Sequence, residues 1–155
     1  MSNKLTVTIV APNLSGQGGT ETVVNHVLNS SKLNSTIEFS LFTPDHVQNQ
    51  SWLRSIEPSL KKLTLAKNNR FQNLLQKFFF YASSRADVLL ILGVRSILIA
   101  YVMRFIFRRH YKIVSWIHFT MVGTSFSKPK FLKYADAHFA ISSGIKKLLM
   151  SAGID

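Results

Sequence analysis

The sequence predicts an α/β fold: a doubly wound, mostly parallel sheet with helices on both faces. Three observations carry this. Short apolar runs rich in β-branched residues alternate with stretches whose apolar residues recur every three or four positions. The first run feeds a glycine-rich turn that opens a helix, the usual start of an open α/β sheet. Strands separated by helices need crossovers, and crossovers place neighbouring strands parallel.

Leu5, Val7, Ile9 and Val10 form the first strand, which ends at Pro12 and Asn13. Gly16-Gln17-Gly18-Gly19-Thr20-Glu21 follows, and then Val23, Val24, Val27 and Leu28 at helical spacing. Asn34 and Ser35 turn the chain into a second strand, Ile37, Phe39, Leu41 and Phe42, stopped by Pro44. Residues 45–60 are polar, with Trp52, Leu53 and Ile56 as scattered apolar points, and predict a loop holding a short helix. Leu63 and Leu65 predict a brief third strand. Phe71, Leu74, Leu75, Phe78 and Phe79 then make an amphipathic helix running to about Ser84, on a stripe that burial in the core would explain.

Asp87 to Leu92 is apolar on both faces, as expected of a central parallel strand, and Gly93 ends it. Residues 96–109 read as an apolar helix closing in Arg108-Arg109, which suits the negative end of a helix dipole. Tyr111, Ile113, Val114, Trp116 and Ile117 form the next strand, which stops at His118-Phe119-Thr120. Gly123 to Pro129 reads as a flexible loop, and Phe131, Leu132 and Tyr134 as a short helix. Ala137 to Ile141 is the last strand, of roughly six in all. Ser142 or Ser143 caps a final helix bearing Ile145, Leu148 and Leu149, ended by Gly153. The closing Ser-Ala-Gly-Ile-Asp reads as a lead-in to more chain, so residues 1–155 are expected to be one domain of a longer protein.

Composition narrows the class. A chain of 155 residues suits one domain, and 46% apolar with 17% charged residues excludes a disordered chain. With no cysteine, disulfides and thiolate metal sites are excluded, which fits a reducing compartment. Met1-Ser2-Asn3-Lys4 leads straight into the first strand, so no signal peptide is expected. Val88 to Phe107 imitates a membrane span with only Arg95 and Arg104 charged, but Gly93 splits it and both arginines would enter hydrocarbon. The net charge of +12 calls for anionic partners: nucleic acid, acidic headgroups or phosphorylated substrates.

The Gly16–Glu21 loop is the strongest local signal. Its glycines allow a sharp turn and a close approach, and the helix start offers N–H groups to a phosphate. The alternative is a turn required by packing, with Glu21 complementing the helix dipole. A dinucleotide fingerprint is a poor fit: Glu21 stands where the third glycine belongs, and the nearest acid after the second strand is Asp45, beyond Pro44. A nicotinamide dehydrogenase is correspondingly weakened, and no Gly-Lys-Ser/Thr of a Walker loop follows.

His118 ends a central strand on the side where open-sheet enzymes bind ligand, either as a hydrogen-bond donor to a sugar or phosphate oxygen or as a structural residue. His26 and His110 read as surface residues and His138 as packed within a strand; the histidines show no metal-ligand spacing, so no metal is expected. Between residues 61 and 112, Lys77, Arg85, Arg95, Arg104, Arg108 and Arg109 belong to a basic run facing the single acid Asp87, with Phe71 and Phe78 to Tyr81 among them. An anionic acceptor or membrane surface fits this mixture, as does plain solvated charge. Nucleic acid fits less well, without a helix-turn-helix or zinc-finger signature.

Three segments, IVAPNLSGQGGTETVVNHVL, SWIHFT and YADAHFAISSGIKKLLMSAGID, together resemble the N-terminal half of a retaining glycosyltransferase of the GT-B fold, family 4, which includes many lipopolysaccharide and capsule sugar transferases. They cover under half of the chain but lie at its start, middle and end in the family's order. The resemblance implies a Rossmann-like first domain on the acceptor side, with the nucleotide-sugar-binding second domain outside these residues. It implies that Gly16, Gln17, Gly18 and Gly19 approach the donor's pyrophosphate and sugar, that Glu21 anchors the loop, and that His118 bonds the donor sugar near the reacting carbon. Ser142, with Ser143 beside it, would lie at the mouth of the cleft. The donor would be a nucleotide sugar such as UDP-galactose, with no tightly bound cofactor and no metal. The acceptor would be a lipopolysaccharide or glycolipid, met at the inner face of the cell membrane by a cytoplasmic, peripheral protein. The competing reading is a Rossmann-like anion- or nucleic-acid-binding module without catalytic activity.

Overall fold

In the computed structural model, residues 4–12, 14, 18–32, 36–117, 129–151 and 153–154 are described. The elements run β1 (Leu5–Val10), α1 (Gly19–Lys32), β2 (Ile37–Thr43), α2 (Gln50–Ile56), β3 (Lys62–Leu65), α3 (Arg70–Ser83), β4 (Val88–Ile91), α4 (Val94–Ile106), β5 (Lys112–Ile117), β6 (Ala137–Ala140) and α5 (Ser143–Ser151). Short 3-10 turns cover Glu57–Ser59 and Pro129–Tyr134. The expected fold class is borne out. Six strands form one sheet in the order β3-β2-β1-β4-β5-β6, and each neighbouring pair is parallel.

That order has a physical consequence. The chain walks outward from β1 to β3, then returns past β1 and walks the other way from β4 to β6. Right-handed crossovers in opposite directions put the two sets of helices on opposite faces. Val7, Ile9, Phe39, Leu41 and Leu90 accordingly pack with Val24 and Leu28 of α1 and Leu53 and Ile56 of α2. Val10, Phe42, Leu89, Ile91 and Ile113 pack with Tyr81 of α3, Ile97, Ala100 and Met103 of α4, and Ile145 of α5. Successive strand residues point to opposite faces, so β4, covered on both, is apolar throughout.

Two aspartates tie the amino ends of the strands together. Asp87, at the head of β4, accepts from the backbone N–H and the hydroxyl of Thr6 in β1, each at 2.7 Å. Those bonds, the backbone one foremost, hold its carboxyl below the usual range. Asp136, just before β6, accepts from the Ile113 N–H at 2.7 Å and pairs with Arg104 of α4. Burial pushes the Asp136 carboxyl up, but Arg104, the Ile113 N–H and Lys112 outweigh it and leave it lowered.

The stretch from Val88 to Phe107 divides at Gly93 into β4 and α4, as expected, and among the described residues no helix is long and apolar enough to cross a membrane. One expectation meets a correction. The apolar stripe of α3 does not lie in the core. Phe71 is 67% exposed, Leu74 64% and Phe79 61%. The inward stripe is polar instead: Asn73 Nδ2 donates to Pro44 O at 3.0 Å, Gln76 Nε2 to Leu65 O at 3.0 Å, and Lys77 Nζ pairs with Asp45 at 3.1 Å. These bonds satisfy backbone carbonyls at the carboxyl ends of β2 and β3 that would otherwise lose their partners beneath the helix. Only the last turn sends aromatic rings inward, where Phe80 stacks on Phe42 with centroids 4.0 Å apart and Tyr81 is buried.

The depressed carboxyls set an acid dependence. Their contribution is complete above the unfolded aspartate pKa of about 3.9 and is lost as the pH falls through the lower folded values. Asp136→Asn is expected to cost about 1–2 kcal/mol, after allowing for its partial exposure, and to flatten the acid limb. Denaturant melts of both forms at neutral pH and at successively lower pH check this.

Candidate functional site

The two winding directions diverge between β1 and β4, and in an open α/β sheet ligands bind at the carboxyl ends of the strands where the order switches. The Leu92 N–H still donates to Val10 O at 3.0 Å, so the two strands stay together one residue beyond β4. Past that point β1 leads towards α1 on one face and β4 leads to α4 on the other. Gly93 sits against Pro12 at this fork: a Cβ there would lie 2.5 Å from the Pro12 Cγ. The crevice thus has a narrow floor and a helix start on each side.

Both helix starts carry positive partial charge towards it. Helices α2 and α3, away from the switch, are capped by the side chains of Asn49 and Asn69. No side chain caps α4, whose preceding residue is Gly93. Arg95, in the first turn of α4, is exposed and adds a cation near that helix start.

On the other side, Glu21 is buried and its Oε2 accepts the Gly18 N–H at 3.0 Å. The Thr22 N–H and hydroxyl both return to Gly18 O at 3.3 Å. This is the glutamate half of a capping box, with Gly18 as the cap, and it fixes where the glycine loop enters α1. Gly19 is different. Among the described residues a Cβ there would meet nothing within 4 Å, and its φ is not left-handed. Among those residues packing gives no reason for glycine at that position.

The remaining candidates divide. Gly16, Gln17 and His118 lie outside the described residues, as does the expected loop after β5 up to residue 128. Ser142 caps α5, its Oγ accepting the Ile145 N–H at 3.2 Å. It follows β6, two strands from β4 and therefore about 10 Å from the crevice. Lys77, Arg104 and Arg109 are committed internally, to Asp45, to Asp136 and to Ala82 O respectively. Arg85 is exposed at the opposite, amino edge of the sheet, beside a groove of about 500 Å³ lined by Thr6, Thr8, Ser40 and Thr64. Arg108 is exposed at the end of α4.

The structure also pairs two residues that sequence reasoning did not connect. Ser115 Oγ lies 2.6 Å from His138 Nδ1 across β5 and β6, and burial pushes the imidazole pKa down. Among the described residues, no group of three or more His, Asp or Glu side chains is placed to hold a metal ion. The special position of Arg95 was readable in principle: it follows by two residues the glycine that ends the central strand.

Comparison with known proteins gives the site a context. No family model matches the chain. It is 29% identical to a lipopolysaccharide 1,6-galactosyltransferase of Salmonella typhimurium, over 96% of this chain and 42% of that protein. The structure superposes on the apo form of the lipopolysaccharide outer core galactosyltransferase WaaB with a TM-score of 0.71 at 26% identity, over 97% of this chain and 43% of that one. A UDP-N-acetylglucosamine 2-epimerase, at TM-score 0.68 and 14% identity, shares the fold over 99% of this chain and 46% of its own. Anabaena Alr3699/HepE in complex with UDP and glucose, at TM-score 0.64 and 14% identity, shares it over 97% and 42%. The chain spans about two-fifths of the curated relative's length. The Rossmann-like first-domain architecture of the GT-B fold is therefore present, and the likeness to the galactosyltransferases runs along nearly the whole chain.

The two glycines differ in what packing asks of them. Gly93→Ala is expected to destabilise by about 1–3 kcal/mol, because the Pro12 ring must move. Gly19→Ala is expected to change stability by less than about 1 kcal/mol, since α1 gains a better helix former and meets no clash. Thermal melts of the two variants check both.

Proposed function

We propose that residues 1–155 form the N-terminal, acceptor-side domain of a retaining, family 4 type glycosyltransferase. It moves a hexose, galactose from UDP-galactose, onto the core of lipopolysaccharide at the inner face of the cell membrane. The observation that supports this most is the 29% identity with a lipopolysaccharide 1,6-galactosyltransferase running over 96% of the chain.

In this reading the donor lies across the switch between β1 and β4, with its diphosphate and sugar against the glycine loop. Gly18 is held by Glu21, and Gly19 brings no side chain. The start of α4 and Arg95 offer positive charge to the leaving diphosphate. His118 bonds the donor sugar, and Ser142 marks the outer end of the cleft. The acceptor hydroxyl attacks the anomeric carbon on the face from which UDP departs, its proton leaves with the diphosphate, and configuration is retained. The opposite wall, with most of the nucleotide contacts, comes from a second domain beyond Asp155. One wall cannot fix donors all around the developing phosphate charge.

The natural full-length gene product is expected to transfer galactose from UDP-galactose to lipopolysaccharide lacking that residue. The 155-residue chain alone is expected to release no UDP above background. Transfer by the isolated chain would refute the need for a second domain. If the full-length product transferred no UDP-hexose, and bound DNA or RNA with steep salt dependence instead, the binding-module reading would replace the enzyme.

A further inference from the structure

We infer that the outer face of α3, continued onto the end of α4, is a docking surface for an anionic lipid bilayer. The inference rests on the proposed reading that the acceptor is a membrane glycolipid, and it identifies which part of the domain meets that membrane.

The inverted helix is the central observation. Amphipathic α3 turns its polar stripe, Asn73, Gln76 and Lys77, towards the sheet and its apolar stripe outward. Phe71 and Leu74 are among its most exposed residues. Phe78 meets Phe107 edge-on with centroids 5.5 Å apart, which joins the stripe to the end of α4. There Phe105 is 82% exposed and Ile106 60%. A helix of 14 residues is about 21 Å long, so the face is extended rather than a single protruding ring. A continuous apolar face of this kind on a folded domain marks an interaction site.

Its charges point to the partner. Neither α3 nor α4 contains an acid. Exposed Lys67 and Arg70 stand at one end of the face and exposed Arg108 at the other. Arg108 has φ 49°, a left-handed conformation at the helix end where glycine is favoured, and the Arg109 N–H closes the turn on Arg104 O at 2.9 Å. A cation is thus kept at the rim in a backbone position that costs an arginine more than a glycine. Apolar rings flanked by cations match a bilayer surface, rings at the acyl boundary and cations among anionic headgroups. A second copy of the chain would bring two such cationic rims together, and nucleic acid would leave the apolar stripe unburied.

The placement also serves the proposed reaction. Both α3 and α4 begin at the carboxyl edge of the sheet, so the docking face ends at the edge that carries the crevice. A sugar standing out from the membrane could be met there.

The test uses the full-length gene product and vesicles of phosphatidylethanolamine and phosphatidylglycerol, with neutral phosphatidylcholine vesicles beside them. The protein is expected to co-sediment with the anionic vesicles and to be released by salt. Phe71→Ser with Phe105→Ser, both at exposed positions, should weaken that binding by about tenfold or more with an unchanged circular dichroism spectrum. Arg108→Gly should weaken it severalfold while keeping the fold. Unchanged vesicle binding by the double variant would overturn the proposal, and so would equal binding to neutral vesicles. A dimer in light scattering that dissociates in the double variant would overturn it in favour of a second copy. Galactosyl transfer to detergent-dispersed acceptor is read in parallel. If the parent binds vesicles through Phe71 and Phe105 but transfers no sugar, the docking face stands and the enzymatic reading falls.

Discussion

Asp87 accepts two hydrogen bonds from Thr6, and from there β4 runs beside β1 until the chains part at Pro12 and Gly93. This one strand pairing joins the two halves of the sheet. Residues from β1 to β3 wind one way and those from β4 to β6 the other, so β1 and β4 are adjacent although more than 70 residues of sequence separate them. Long-range parallel pairing of this kind is costly to form, because the intervening chain must be ordered before the strands reward it. The domain answers with burial on both faces of β1 and β4 and with a carboxylate that clamps the amino end. The same pairing produces the crevice at the other end. Stability and site are thus two ends of one pair of strands.

The two helical layers do different work. Layer α1 and α2 is ordinary: Val24, Leu28, Leu53 and Ile56 face the sheet, and little large apolar surface is left outside. The α3 and α4 layer buries Tyr81, Ile97, Ala100 and Met103 but leaves Phe71, Leu74, Phe79 and Phe105 in solvent. Asn73 and Gln76 each use their amide nitrogen on a backbone carbonyl at or just past the end of a strand, while their own carbonyl oxygens, buried, have no partner among the described residues. An unpaired buried acceptor costs stability. A helix placed for folding alone would exchange the two stripes. That α3 does not is the physical reason to look outside the domain for what covers it.

Periodicity revealed this helix but not its direction. Spacing shows that Phe71, Leu74, Leu75 and Phe78 share a side; it does not say which side the sheet lies on. The deciding bonds reach Pro44 and Leu65, which are remote in sequence and near only in the fold. Charge counting fails for the same reason. Lys77 and Arg104 belong to a basic run by sequence, yet Asp45 and Asp136 neutralise them across the structure. What was legible was local or symmetric. The apolar run of β4, the serine cap of α5, the glycine stop at Gly153 and the glutamate three residues after Gly18 all declare themselves within a few positions. The parallel pairing of the strands followed from their alternation with helices, with no knowledge of side-chain contacts; their order in the sheet did not.

Electrostatics makes the crevice incomplete by itself. Two helix starts face it, with the Glu21 carboxylate capping Gly18, so the local field favours an anion. Such a field is useful to catalysis only where water is excluded, since an open surface screens it. One surface alone does not fix hydrogen-bond donors all around a developing phosphate charge. In the proposed enzyme a second domain would supply the other wall, closing on a donor that already lies against this one, and the domain that carries the glycine loop would also be the one whose outer helices rest on a membrane.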